Sequence, residues 1–431
     1  MLLVKDKPLL VRNCGQLLTL RGPDRSRRGK EMEALGIIRR GALLVRGGLV
    51  SRIGSDDSVS RLPEARRAAC VDAGGKVVLP GFVDSHTHAL FAASRVDDYV
   101  ARIGGATYEQ IARAGGGIRA SARLMRNAGE RALADHLRRV IRLFLEHGTT
   151  ALEVKSGYGL EIDQELKMLR VIRAAGGPMD LIATLLIHDV PSRFKHRRTH
   201  YLNLVRRQLI PQVAQEKLAD YCDVFCDRGY FSVPETRHLL SVAASYGMGL
   251  KLHAEQMAHS GAAVMAAKLG STSVDHLDHV TDADIKRLRG TGTIATLLPG
   301  SVLHLGTGKY PPARRLIQAG IPVALATNFN PGSSPTLNMQ MILSLACSQM
   351  RLSPAEAITA ATINGAYAVG RGDHLGSLEV GKQADLVVMD AADYREIPYF
   401  FGMNHCLTVV KKGRVVFSKL SAVSDQYPRG S

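Results

Sequence analysis

From residue 77 to about residue 370 the chain alternates short apolar runs of β-forming residues with stretches of helical period, as in ALEVKSGYGL, EIDQELKMLRVIRAAGG and MDLIATLLIHDVP. This alternation limits the fold more than any other feature. Apolar runs with no inside–outside rhythm are strands covered on both faces, which requires a parallel sheet with helices packed against it. The number of such units favours the α/β class and, within it, a closed (β/α)8 barrel of TIM type over an open sheet. In such a barrel the residues that follow the strands converge on one mouth, so the residue types found there decide the chemistry.

Histidine is the type that recurs. The run VVLPGFVDSHTH carries an apolar strand into His86 and His88. Residues i and i+2 of a strand share a face, so both imidazoles can reach one metal ion. A lone HxH triplet is equally compatible with exposed or core histidines. Here His188 in LLIHDVP, His253 in GLKLHAEQ and His276 in SVDHLDH each close a further β-rich run. The pattern predicts His86, His88 and His253 as ligands of one Zn²⁺ or Fe ion per chain, neutral imidazole suiting either. His276, which follows Asp275, is placed to polarise a carbonyl or carry a proton near neutral pH. The alternative is that Asp275 and His276 form a structural hydrogen-bonded pair.

The flanks read differently. Residues 1–76 alternate short apolar stretches with turns, as in GALLVRGGLVSRIG, and LGSLEVGKQADLVVMDA with CLTVVKKGRVVF return to this rhythm later. The economical arrangement is one accessory β-domain built by residues 1–76 and 371–431, with the barrel, residues 77–370, inserted between them. Glycine and proline clusters at residues 115–117 and 331–335 fall where loops follow strands and suit the rim of the mouth.

A chain of 431 residues that is 45% hydrophobic can bury one large α/β domain and a smaller one. Its net charge of +17 raises the question of nucleic acid. The basic residues lie in dispersed clusters, RSRRGK at 25–30, RFKHRR at 193–198 and KRLR at 286–289, and aromatics are too few, at 5%, to build a stacking groove. A field of this sign draws in small carboxylates instead. Six cysteines stand without CxxC spacing or a pairing pattern and read as reduced, mostly buried thiols. There is no apolar run of about 18 residues, and MLLVKDKPLLVRN lacks an apolar leader, so no membrane attachment is expected and the cytoplasm is the expected compartment.

PGFVDSHTH, GATYEQIARAGGGI, EVKSGYGLEIDQELKMLRVIRA, DVFCDRGYFS, KLHAEQMAHSGAA, DHLDHV, NFNPGSSP, TINGAYAVG and GSLEVGKQADLVV together resemble the amidohydrolase superfamily and, within it, the imidazolonepropionase family. PGFVDxHTH and the late GxLxxGxxADLVV occur across the superfamily, whereas GATYEQIARAGGGI and EVKSGYGL are particular to the family. The resemblance implies the barrel with its accessory β-domain, a single Zn or Fe ion, and hydrolysis of 4-imidazolone-5-propanoate to N-formimino-L-glutamate in histidine degradation. The histidines suit that chemistry. A cyclic amide opens only with an activated water and a stabilised oxyanion, and a cation that brings the pKa of water toward ~7 while polarising the carbonyl provides both.

The resemblance further implies Arg95, in the loop after the first barrel strand, as the partner of the propionate, since a guanidinium grips a carboxylate with two prongs as lysine cannot. Tyr158, His188, Gln256, Asn330, Gly332 and Ser333 match substrate contacts. Between Gln256 and Glu255 the choice stays open: the family register favours the residue three after the metal histidine, whereas Glu255 is by chemistry the better base. Lys155 reads as a structural residue, because the family holds a single metal.

One position departs from the pattern. The family has an aspartate, a metal ligand that also takes a proton, where this chain has Asn328. An amide oxygen is a weaker, neutral ligand and no base at neutral pH. Asn328 is kept as a fourth ligand and catalytic-site residue. Two readings therefore stand beside hydrolysis of imidazolonepropionate: a weakened homologue that binds the ligand with little turnover, and an amidohydrolase for another cyclic amide. The expected partner is a small anionic substrate, with no specific nucleic acid and no membrane, and a homodimer left open.

Overall fold

A computed structural model describes residues 7–420; the outermost residues of the expected accessory domain, 1–6 and 421–431, lie outside the described residues. In chain order the strands are β1 (Leu9–Leu18), β2 (Ile37–Arg46), β3 (Leu49–Ser55), β4 (Ala69–Asp72) and β5 (Val77–Pro80), then β6 (Phe82–Asp84), β7 (Thr149–Lys155), β8 (Asp180–Ile187) and β9 (Tyr221–Cys226). These are followed by β10 (Gly249–Ala254), β11 (Ser273–His276), β12 (Ile294–Leu297), β13 (Val323–Leu325), β14 (Leu386–Met389), β15 (Cys406–Lys411) and β16 (Arg414–Ser418).

The strands form two sheets. The first runs β16-β15-β14-β5-β1-β2-β3, with β4 beside β1, so strands from both flanks of the chain share one sheet. Arg46 pairs with Leu49 across Gly47 and Gly48, both at left-handed φ, a turn whose twist matches antiparallel strands. One face buries Val11, Leu17, Leu43, Val78, Leu386 and Val410 together. The second sheet takes β6 to β13 in sequence order as a nearly closed parallel barrel. β7, β9, β11 and β12 are buried along their whole length, as strands covered on both faces must be.

The apolar run that leads to His86 is two strands. Val77–Pro80 hydrogen-bonds into the first sheet, opposite β14, and the chain leaves that sheet at Gly81, not at residue 77. A Cβ at Gly81 would lie 2.3 Å from the Thr150 side chain, so only glycine lets the chain pass there. At the other boundary, the helices Met339–Met350, Pro354–Ala361 and Ile363–Ala368 fall in the same compact unit as the first sheet. Thr359 donates to the Met32 carbonyl at 2.8 Å, and Asn364 exchanges two hydrogen bonds with the Arg27 backbone. One compact unit thus comprises the residues up to Asp84, Leu143–Ala151 and those from Asn338 onward; the other is Ser85–Arg142 with Leu152–Leu337. Every candidate site residue falls in the second. Among the described residues, no helix is long and apolar enough to cross a membrane, and all six cysteines are free thiols.

Candidate active site

Beyond β6 the chain stays extended and is stitched on both sides. Lys155 N–H donates to the Thr87 carbonyl, while Asn328 N–H donates to His86 and His88 N–H to Phe329. His86 and His88 therefore sit between the ends of the second and the last barrel strands. His253, near the end of β10, lies in register with Asp275 of β11, and His276 ends that strand. All four imidazoles are buried and pack against one another. Their ring centroids are 4.5 Å apart for His86 and His253, 5.4 Å for His88 and His253, and 5.4 Å for His253 and His276. His88 Nε2 and His253 Nε2 stand 3.4 Å apart, and one ring nitrogen from each of His86, His253 and His276 falls within 4.8 Å of the other two.

What aims these rings is a layer of buried charge beneath them. Asp275 Oδ2 lies 2.6 Å from His86 Nδ1, and Asp223 Oδ2 lies 3.0 Å from His253 Nδ1, which leaves each Nε2 facing the cluster. Carboxylates hold metal-binding histidines in this way, fixing tautomer and ring orientation. Lys155 Nζ joins the two, 2.8 Å from Asp223 and 3.7 Å from Asp275, and also reaches Glu153 at 2.9 Å. Lys251 donates to the Ser85 carbonyl at 2.9 Å and sits 3.5 Å from Glu153. Burial alone would lower the Lys155 pKa, but Asp223, Glu153 and Asp275 raise it above the usual lysine value. Burial works the other way on Asp223, and His253 and Lys155 overcome it to hold the carboxyl well below its usual range. Burial, helped by neighbouring positive groups, pushes His86, His88 and His276 well below the ordinary histidine value, so these imidazoles stay neutral with lone pairs available.

This donor set fits a Zn²⁺ or Fe ion. Among the described residues, His88 Nδ1, His276 Nδ1 and Asn328 Oδ1 are buried polar atoms with no hydrogen-bond partner, which is costly unless something else is bound. Asp275 pairs with His86 and with the Ser273 hydroxyl, not with His276, so the alternative reading of Asp275 and His276 as a structural pair does not hold.

The strands end on strained backbone. Glu255, His276 and Asn328 have φ of 59°, 80° and 52°, the left-handed region that side chains other than glycine avoid, and such residues cluster at functional sites. The effect at Glu255 corrects an expectation. Its carboxylate turns back to accept Ser260 N–H at 2.6 Å and the Ser260 hydroxyl at 3.3 Å, away from the cavity, whereas Gln256 lines it. Glu255 is thus a poor candidate for the base.

The cavity has a volume of about 410 Å³ and is lined by His88, Arg95, Tyr158, His188, His253, Gln256, His276, Asn328, Asn330, Gly332 and Ser333; His86 lies beneath it. Arg102 and Asp278 line it too; Arg102 lies in none of the matching motifs, and Asp278 lies in DHLDHV but was not singled out there. Arg95 opens the helix Val96–Ile103, and its guanidinium lies against Gly332: a Cβ there would be 1.1 Å from Arg95 Nη2. Among the described residues its Nε has no hydrogen-bond partner, and Asp98 lies 3.6 Å away. Asn330 shapes the rim, its Oδ1 accepting Gly332 N–H at 2.8 Å and Ser333 N–H at 2.7 Å. His188 Nδ1 is 3.1 Å from the Gly157 carbonyl oxygen, and burial lowers its pKa to about 3. Burial pushes the Tyr158 phenol up to about 12.

Known proteins resemble this chain in sequence and in fold. The amidohydrolase family matches residues 77–416. An imidazolonepropionase of Solibacter usitatus is 44% identical over 96% of this chain and 100% of its own length. One of Geobacillus kaustophilus is 44% identical over 95% of this chain and 98% of its own. In fold, an adenosine deaminase from Xanthomonas campestris with bound zinc superposes with a TM-score of 0.73 at 20% identity, covering 95% of this chain and 93% of that one. Escherichia coli guanine deaminase gives 0.70 at 19%, covering 96% and 99%. Identity near 20% speaks for the shared fold alone, whereas identity of 44% over the whole length speaks for the family. The chain therefore belongs to the amidohydrolase family and, within it, to the imidazolonepropionases.

Proposed function

We propose that this hydrolase opens the cyclic amide of 4-imidazolone-5-propanoate to give N-formimino-L-glutamate, a step of histidine degradation. The observation that carries the reading is that one cavity holds both the Arg95 guanidinium, whose Nε has no hydrogen-bond partner among the described residues, and a cluster of buried neutral imidazoles. A small ring with a carboxylate tail needs both. Relatives that carry the one name at 37–44% identity support hydrolysis over a binding-only homologue.

His86, His88 and His253 would hold the metal, with Asn328 Oδ1 as a fourth, neutral donor. When bound there, Zn²⁺ or Fe supplies an acidified water and a polarised carbonyl. The remaining work falls to the chain. Arg95 grips the propionate, and Gly332 leaves room for its fork. Tyr158 and His188 border the ring, and both stay uncharged at neutral pH because burial moves their pKa values away from it. His276, neutral and with Nδ1 lacking a hydrogen-bond partner, takes a proton from the attacking water. The water oxygen bonds to the ring carbonyl carbon, the carbon–nitrogen bond breaks, and the leaving nitrogen receives the proton His276 has held. Water, ring and proton are then all accounted for in one acyclic product.

The test is direct. Purified protein given 4-imidazolone-5-propanoate should consume its ultraviolet absorbance and yield N-formimino-L-glutamate, while 4-imidazolone without the propionate should be a much poorer substrate. Equal kcat/KM on both would replace this reading with an amidohydrolase for another cyclic amide.

A further inference from the structure

Tyr158 and His188 follow different strands, yet both meet the loop of residues 156–160, which is bonded to one side chain outside the cavity. Glu165, on the helix Ile162–Ala174, is 2% exposed. Its carboxylate accepts Gly157 N–H at 2.7 Å and Leu160 N–H at 2.6 Å, and the nearby Ser156 hydroxyl and Gly159 N–H favour its charged form against the opposing effect of burial. The loop of residues 156–160 is thus wrapped around one carboxylate. It needs that hold, because Gly157 sits at φ 102° and Leu160 at φ 62°, the latter a conformation leucine avoids. The fit is close: a Cβ on Gly159 would lie 2.5 Å from Glu165 N and 2.9 Å from Glu165 Oε1. Two groups hang from this loop. The Tyr158 ring stands 5.8 Å from that of His188 and 5.9 Å from that of His88. Gly157, whose N–H donates to Glu165, also places its carbonyl oxygen 3.1 Å from His188 Nδ1.

We propose that Glu165 is a positioning residue for substrate recognition, whose carboxylate fixes residues 156–160 so that Tyr158 and His188 present one preformed surface to the substrate ring. The inference rests on the reading of Tyr158 and His188 as substrate contacts given above. Glu165 bonds to the loop, whereas Tyr158 and His188 both stand against His88, so metal content measured beside KM separates its effects from those of a damaged metal site.

Glu165→Gln tests it. Glutamine keeps the shape but offers one acceptor oxygen, and its NH₂ must face Gly157 N–H or Leu160 N–H, leaving a buried donor without an acceptor. We expect KM for 4-imidazolone-5-propanoate to rise about tenfold, the scale of one unsatisfied buried hydrogen bond, with kcat changed far less and metal content unchanged. Glu165→Asp, which keeps the charge but falls short of one amide, should be intermediate, and it carries the same readout if the glutamine variant fails to fold. In a Tyr158→Ala background the effect of Glu165→Gln on KM should shrink, because the group it positions is gone. Lower thermal stability with KM unchanged in both Glu165 variants would make Glu165 merely structural and overturn the proposal. If Tyr158→Ala and His188→Ala leave KM unchanged in the parent protein, the substrate-contact reading has failed and the proposal falls with it. If those two raise KM while Glu165→Gln does not, the proposal alone is wrong.

Discussion

The floor of the cavity and its rim are held in place by different means. In the floor, side chain pairs with side chain across fully buried positions: Asp275 with His86, Asp223 with His253, and Lys155 with both carboxylates. In the rim, side chains bond to backbone within a few residues of themselves, as Asn330 does to Gly332 and Ser333 and Glu165 does to Gly157 and Leu160. The floor joins segments far apart in the chain and sets the electrostatics of the imidazoles. The rim shapes what the cavity admits. Damage to the floor should therefore cost metal, chemistry or folding, and damage to the rim should cost affinity for substrate.

Replacing His86 and His88 together by Ala should have the largest effect, abolishing turnover and emptying a site otherwise holding about one metal per chain. A full metal complement after that change would remove these residues from the ligand set. Lys155→Met strikes the layer below. Taking one partner from a fully buried ion network leaves uncompensated charge and should cost about 3–5 kcal/mol of folding stability, read by denaturant unfolding. A loss within the error of that measurement would mean that the carboxylates do not depend on Lys155.

The rim comes next. Arg95→Ala should weaken apparent substrate affinity at least tenfold, within the ~2–5 kcal/mol span for losing a charged, hydrogen-bonded partner, with metal content intact. Arg95→Lys should recover only part of it, since an ammonium lacks the planar fork. Unchanged kinetics in the alanine variant would separate Arg95 from the propionate. The smallest effect is expected at Asn328, where the two regions meet. Asn328→Asp adds a carboxylate to an otherwise neutral donor set and should tighten metal binding by on the order of tenfold, about 1.4 kcal/mol. At full occupancy turnover should change little, because the proton is assigned to His276. A large rise in turnover would move that role to position 328.

The same contrast explains what was legible in the sequence. The barrel, the shared sheet of the two flanks and the histidines were legible because each depends on local period: buried runs, hairpin rhythm, and two histidines on one strand face. Gly332 and Ser333 fell within the glycine and proline cluster of residues 331–335 read as rim, whereas Asn330 was named through the resemblance alone. The pairing of Asp275 with His86 was not, since its partners are 189 residues apart and only barrel closure brings them together. Lys155 and Asp223, 68 residues apart, were hidden for the same reason. Family register and acid–base chemistry pulled apart at Glu255 and Gln256, and neither could show that the backbone turns left-handed at Glu255. Val77–Pro80 read as barrel because an apolar run looks the same in either sheet, and only the close approach at Gly81 divides it.

The central claim is that one metal ion, held by the imidazoles of the floor, enables hydrolysis of a carboxylate-bearing ring seated by the rim. Metal content and turnover of 4-imidazolone-5-propanoate measured on a single preparation, before chelation, after it, and after return of Zn²⁺ or Fe, test this most directly. The account predicts about one equivalent of metal with activity, loss of both together, and recovery of both together. Full turnover by the metal-free protein would contradict it.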